Sequence, residues 1–106
     1  MIKVCKFGGS SAKDGPTLDH VINNILLTDP SRRIAVFSAP GKRYDGDTKV
    51  TDLLIHIAQE VYDKQQFPDS SYQELKSRFL DITHHFRMDN LFLEKLFHLL
   101  DETINM

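Results

Sequence analysis

A surplus of charge of one sign is the first thing this sequence lacks. Thirteen Lys and Arg stand against fifteen Asp and Glu, for a net charge of −2, and the two signs are interspersed. That leaves no electrostatic footprint for nucleic acid or for an anionic membrane surface. Long apolar runs are also missing: none approaches the roughly 20 residues that cross a bilayer. Lys3 and Lys6 interrupt the first apolar segment, which argues against a signal peptide. Cysteine is nearly absent. Cys5 alone cannot form an internal disulfide, so it reads as a small buried side chain and the chain as cytoplasmic. There is no tryptophan, no internal repeat and no low-complexity tract. At 106 residues the chain has room for one small domain.

What is present is punctuated clearly. Residues 2–7 alternate as a strand, and Gly8-Gly9-Ser10-Ser11 breaks it. Asp14-Gly15-Pro16 signals a helix start, because proline suits a first turn. Leu18, Val21, Ile22, Ile25 and Leu26 follow at helical spacing until Asp29-Pro30. Ile34–Phe37 is a continuous apolar run of the kind expected for a parallel strand buried on both faces. Strand, glycine turn, helix and strand make a βαβ unit, so the fold class is α/β.

The stretch "SAPGKRYDGDTKVTD" then reads as an exposed, mobile loop whose Asp45 and Asp47 are solvated. Leu53, Leu54, Ile57, Ala58 and Val61 mark a second helix. Ser71 with Glu74 spells a capping box for a third, striped by Tyr72, Leu75, Phe79, Ile82 and Phe86. Asp89 caps a fourth, striped by Leu93, Leu96, Phe97, Leu100 and Ile104. The last two helices are expected to form an antiparallel hairpin over 70–106. Phe79, Phe86, Phe92 and Phe97 read as core or interface, and Glu94 with His98 as an i,i+4 pair. His84-His85 suggests a metal, but neighbours on a helix diverge in direction and no third ligand is suitably spaced.

Two parallel strands do not complete a sheet, because edges and faces stay open. The layout therefore reads as an incomplete sheet, to be finished by a partner chain or by the remainder of a longer protein.

Lys6 is awkward in a core and useful against a phosphate. Amides of a glycine turn can point at a phosphate where no Cβ blocks approach, and Lys6 adds a mobile charge. The spacing is neither G-x-x-x-x-G-K nor G-x-G-x-x-G. On its own, the motif fits a tight turn with Lys6 reaching into solvent better than a phosphate site. A second small-residue turn, Ser38-Ala39-Pro40-Gly41, ends the adjacent strand, and carboxyl ends of parallel strands are where open α/β sheets bind ligands. Ser38 can donate to an anionic ligand there. Thr51 can do so at the next helix start, or can cap its own helix.

"KVCKFGGSS" and "AVFSAPGKRYDGDTKVTDLLI" together resemble the N-terminal segment of aspartate kinase, in the amino acid kinase superfamily. The first block is similar to that family's K-[FY]-G-G-[ST]-S motif, the second to its V-x-S-A-x-G…T-[DN]-x-L-[IL] region. The likeness covers Met1 to about Val61; from Ser71 onward it is one of helical character only. The resemblance implies that residues 1–106 are the first part of an amino acid kinase domain, with 1–62 carrying the βαβ start.

It also implies transfer of the ATP γ-phosphoryl to the side-chain carboxylate of L-aspartate, with Mg²⁺, in lysine, threonine and methionine synthesis. Lys6, Phe7, Gly8, Gly9 and Ser10 would then lie at the nucleotide phosphates, with Lys6 catalytic. Ser38 and Thr51 would meet the substrate. The family's later S-R-G-E or T-x-G-E motif, nucleotide-base half and regulatory domains are missing, so this chain alone is expected to be inactive and to self-associate or to need the rest of a kinase. Another amino acid kinase, or a non-catalytic module docking on a full-length chain, are the alternatives.

Overall fold

The computed structural model describes residues 1–106, which divide into two compact units, Met1–Val50 and Thr51–Met106. No helix is long and apolar enough to cross a membrane.

The first unit is the expected βαβ element. Strand β1 (Lys3–Phe7) pairs in parallel with β2 (Arg32–Phe37), and α1 (Gly15–Val21) lies between them in sequence. Asp14 caps α1 by accepting the Thr17 N–H at 2.8 Å, and Pro16 occupies the first turn, where its missing N–H costs nothing. The helix does not stop at Val21. Ile22–Leu26 continue it as a π-type turn, in which the Leu27 N–H reaches back five residues to the Ile22 carbonyl at 2.9 Å.

Asp29 then closes the crossover. Its carboxylate accepts the Ser31 N–H at 2.9 Å, the Ser31 hydroxyl at 2.6 Å and the Lys3 ammonium at 2.9 Å. These hydrogen bonds, Ser31 foremost, hold its carboxyl well below the usual carboxylate range. The clamp sets β1 beside the start of β2.

In the ladder Val4 pairs with Ile34, Cys5 with Ala35, Lys6 with Val36 and Phe7 with Phe37; a bulge between Lys3 and Val4 absorbs Arg33. Phe7 and Phe37 stack with ring centroids 4.9 Å apart. Side chains alternate across a strand, so Val4, Lys6, Ile34 and Val36 share the other face. Val4 remains 64% exposed, Ile34 49% and Val36 51%. The strands are thus buried in type but not in fact, because only one face of this two-stranded sheet is covered. Cys5, read as buried, is half-buried, although it lies on the covered face with Phe7.

The segment between β2 and α2 corrects the sequence reading. It is not uniformly exposed: Gly41 and Asp47 are buried. The Gly41 N–H donates to the Gly9 carbonyl at 2.9 Å and the Val50 N–H to the Pro40 carbonyl at 3.0 Å. Asp47 is not solvated. Its carboxylate takes the Arg43 N–H at 2.9 Å, Nε at 2.7 Å and Nη2 at 3.0 Å. The Arg43 guanidinium holds the Asp47 carboxyl well below the usual carboxylate range. Asp45 is exposed.

The second unit carries the helices α2 (Val50–Lys64, its first residue closing the other unit), α3 (Asp69–His85) and α4 (Asn90–Ile104). Its core is built from Leu53 and Ile57 of α2, Tyr72 and Leu75 of α3, and Leu93 and Phe97 of α4, all buried. Tyr72 meets Phe67 and Phe97 edge-on, with centroids at 5.0 and 5.6 Å, and its hydroxyl donates to the Phe97 carbonyl at 3.4 Å. Burial, with Asp101 beside it, pushes the Tyr72 phenol up to about 12.

The capping box is not formed. Buried Pro68 starts α3 at Asp69, and its carbonyl accepts the Tyr72 N–H at 2.9 Å. Ser71 is therefore already inside the helix, and its hydroxyl instead donates to Glu60 of α2 at 2.8 Å. Asp89 caps α4 as expected, accepting the Leu91 N–H at 2.8 Å. His98 pairs with Glu102 at 3.0 Å, not with Glu94. Gln65 (φ 50°) and Arg87 (φ 55°) end α2 and α3 in the left-handed region, without glycine.

Candidate functional site

The site is assembled where β1 and β2 stop. β1 delivers Lys6 on the open face of the sheet and Phe7 on the covered face. The chain then turns through Gly8 into a short helical turn, Gly9–Ser11, closed by the Ser11 N–H on the Gly8 carbonyl at 3.1 Å. β2 ends beside it. The Ser38 N–H donates to the Phe7 carbonyl at 3.0 Å, extending the ladder one residue past the strand. Two turns therefore lie side by side, and the Gly41-to-Gly9 hydrogen bond joins them.

The glycines have different duties. A Cβ on Gly9 would stand 2.9 Å from the Ala39 carbonyl oxygen, and one on Gly41 would stand 2.9 Å from the Gly9 carbonyl carbon. Both positions are fixed by close backbone approach. A Cβ on Gly8 would meet nothing within 4 Å, and its φ of −75° suits any residue. Packing therefore gives Gly8 no reason to be glycine, whereas a ligand resting on the turn would.

The N–H groups of Gly8, Gly9 and Ser10 donate to no acceptor of the chain. Unbonded amides in a small-residue turn favour an anion, since each carries a partial positive charge and no side chain shields it. Lys6, exposed two residues earlier, contributes a full charge. Phe7 offers only its backbone, because its ring is buried against Phe37.

Lys6, Phe7, Gly8, Gly9, Ser10 and Ser38 are thus brought together within the first unit. Thr51 lies in the second, exposed in the first turn of α2. That helix begins at Val50, so Thr51 is inside the turn and not at the cap position. The sequence reading missed the contact between Gly9 and Gly41 and the Arg43–Asp47 clamp that shapes the second turn. The signal for the clamp was present in the i,i+4 spacing of the pair within a loop carrying Gly41 and Gly46.

No group of three His, Cys, Asp or Glu side chains could hold a metal ion. Asp47 is engaged by Arg43, and Asp45 stands by itself in the loop.

A strand-end pair of turns with free amides and a lysine is an anion-receptive arrangement on an α/β sheet, and comparison with known proteins gives it a context. No protein-family model matches the chain. Aspartokinase 3 of Bacillus subtilis (strain 168) is 40% identical over 95 residues, which is 90% of this chain and 20% of that protein. The crystal structure of Clostridium acetobutylicum aspartate kinase superposes with a TM-score of 0.78 at 33% identity, covering 87% of this chain and 22% of that one. The resemblance to aspartate kinase seen in the sequence is thus borne out in sequence and in fold. The chain spans about a fifth of the length of these relatives.

Proposed function

We propose that this chain is the phosphate-binding wall of an aspartate kinase, a cytoplasmic enzyme that transfers the γ-phosphoryl of ATP to the side-chain carboxylate of L-aspartate. The observation that carries the reading is the turn at Gly8–Ser10, with three amides lacking an acceptor, beside exposed Lys6 and beneath the clear space at Gly8. Similarity to two aspartate kinases supports it.

The chemistry asks little covalent work of the protein. The acceptor carboxylate is ionised at neutral pH, so no general base is required. What is required is positioning, and stabilisation of charge on the transferring group. The amides of Gly8, Gly9 and Ser10 hold phosphate oxygens, and Lys6 neutralises charge that grows during transfer. Phe7, locked on Phe37, fixes where the turn begins. Ser38 offers its hydroxyl to the aspartate; for Thr51, in the other unit, a substrate contact rests on the resemblance alone.

The test is segment exchange. Residues 1–106 replace the matching segment of the Bacillus subtilis enzyme, and aspartate-dependent ADP release is measured with and without Lys6→Ala. The exchanged enzyme is expected to be active, and Lys6→Ala to lower kcat at least a hundredfold, a term of about 3 kcal/mol. An active exchange protein indifferent to Lys6→Ala removes the phosphate role.

A further inference from the structure

The three amides of the glycine turn are aimed from behind. In a trans peptide the carbonyl and the N–H point in opposite directions, and no peptide bond of the chain is cis. The Gly8 N–H shares its peptide with the Phe7 carbonyl, which accepts the Ser38 N–H at 3.0 Å. The Gly9 N–H shares its peptide with the Gly8 carbonyl, held by the Ser11 N–H at 3.1 Å. The Ser10 N–H shares its peptide with the Gly9 carbonyl, which accepts the Gly41 N–H at 2.9 Å and the Ala12 N–H at 3.2 Å. Each N–H is thereby turned away from the donor that holds its carbonyl. The Gly8 amide is thus aimed by the strand ladder, the Gly9 amide by its own turn, and the Ser10 amide in large part by the loop after β2.

That loop also rests on the face of the same peptide: a Cβ on Gly41 would stand 3.2 Å from the Ser10 nitrogen. Two residues after Gly41, the Arg43 N–H donates to the Asp47 carboxylate at 2.9 Å, beside the Arg43 Nε at 2.7 Å and Nη2 at 3.0 Å. The Thr48 N–H donates to the same carboxylate. The Val50 N–H on the Pro40 carbonyl closes the base of the loop. Asp47 is only 7% exposed, so its charge is spent inward on loop backbone and guanidinium. A buried ion pair adds little net stability over a well-packed apolar pair, whereas its directional hydrogen bonds select one loop shape. The shape selected here is the one that sets Gly41 against Gly9.

We propose that Asp47 is a positioning residue for the phosphate turn: by gathering the backbone and side chain of Arg43 it sets Gly41 against Gly9, and so aims the Ser10 amide at the nucleotide phosphates. The proposal rests on the phosphate-binding reading of the turn. Asp47 acts through Gly41 and touches neither reactant. Ser38 is held by its own N–H on the Phe7 carbonyl, so the aspartate side does not depend on the clamp.

Amide NMR spectra of the 106-residue chain read the aim directly. Asp47→Asn should move the Ser10 N–H resonance more than those of Gly8 and Gly9, with the Cys5 and Ala35 amides of the ladder in place. In the segment-exchange enzyme the same substitution should raise the KM for ATP about tenfold, the worth of one hydrogen bond to a charged group, and leave the KM for aspartate within about twofold. A merely structural role would lower the active fraction, and with it kcat, while leaving both KM values alone. Arg43→Ala keeps the Arg43 N–H on Asp47 and covers the case in which Asp47→Asn does not fold; it should act in the same direction, about threefold on the KM for ATP. A Ser10 amide that moves no more than those of Gly8 and Gly9 in the folded variant overturns the proposal, and so does an unchanged KM for ATP. If Lys6→Ala is then also without effect, the phosphate reading falls too; if Lys6→Ala lowers kcat, only the part given to Asp47 falls.

Discussion

Gly9 and Gly41 touch through their backbones: the Gly41 N–H donates to the Gly9 carbonyl at 2.9 Å, and neither position has space for a Cβ. The contact joins the turns after β1 and β2, and it gives each glycine of the site a separable role.

Gly9→Ala and Gly41→Ala should each destabilise the chain by about 1–3 kcal/mol, because backbone and not a flexible side chain must yield. Gly8→Ala should leave stability within about 0.5 kcal/mol, since its Cβ points into clear space. Urea unfolding of the three variants measures this. In the segment-exchange enzyme Gly8→Ala should nonetheless raise the KM for ATP. A Gly8→Ala protein that is both stable and kinetically normal would show that no ligand rests on the turn.

Asp47 should dominate the acid sensitivity of the first unit, together with Asp29. Both carboxyls are depressed in the folded state. The unfolded chain therefore binds protons first as pH falls below about 4. Stability is full above that pH and declines as pH drops toward the folded values. Asp47→Asn should lose about 2 kcal/mol at neutral pH, as expected for charge-assisted hydrogen bonds to Arg43. It should also flatten the acid slope, followed as urea midpoints between pH 5 and pH 2. An unchanged slope would show that Asp47 is protonated alike in both states.

Arg87→Gly should stabilise the second unit. Arg87 ends α3 with φ of 55°, a conformation that costs an L-residue about 1 kcal/mol and glycine far less. The Met88 N–H closing on the Thr83 carbonyl at 2.9 Å needs only the backbone shape. A rise in thermal midpoint of a few degrees is expected. A fall would mean that the arginine side chain contributes more than its backbone costs.

Thr51→Val in the segment-exchange enzyme should raise the KM for aspartate more than that for ATP. Valine preserves shape and removes the donor, worth about 1 kcal/mol or more. Because Thr51 lies inside the first turn of α2 and not at its cap, stability should change little. Equal effects on both substrates would argue against a contact with aspartate.

Much of this was legible because local rules and tertiary demands coincided. Asp14-Gly15-Pro16 and Asp89 speak for their helices wherever these pack, and the glycines announce the turns. Ser71 and Glu74 misled because a capping box is a local pattern, and Pro68 had already set the helix start two residues earlier. Asp47 misled because a charge-rich loop hides a buried clamp; hydropathy cannot distinguish a solvated carboxylate from one held by Arg43. The π-type turn at Ile22–Leu26 left no trace in the apolar spacing. Residue type showed that Ile34 and Val36 belong in a covered sheet, but it could not show that their face stays open here.

The parallel pairing of β1 with β2 also fixes an order of events. The helices close hydrogen bonds four residues apart, whereas Cys5 meets Ala35 only after the whole crossover between them has been gathered in. High contact order makes the sheet the late and slow part of folding. Until it forms, Val4, Phe7 and Ile34 wait in an unprotected chain, each directly beside a cation: Lys3, Lys6 and Arg33. Charges so placed act as gatekeepers against strand-to-strand aggregation. Lys6 therefore serves the chain before any site exists, and replacing it should lower refolding yield whatever it does to phosphoryl transfer.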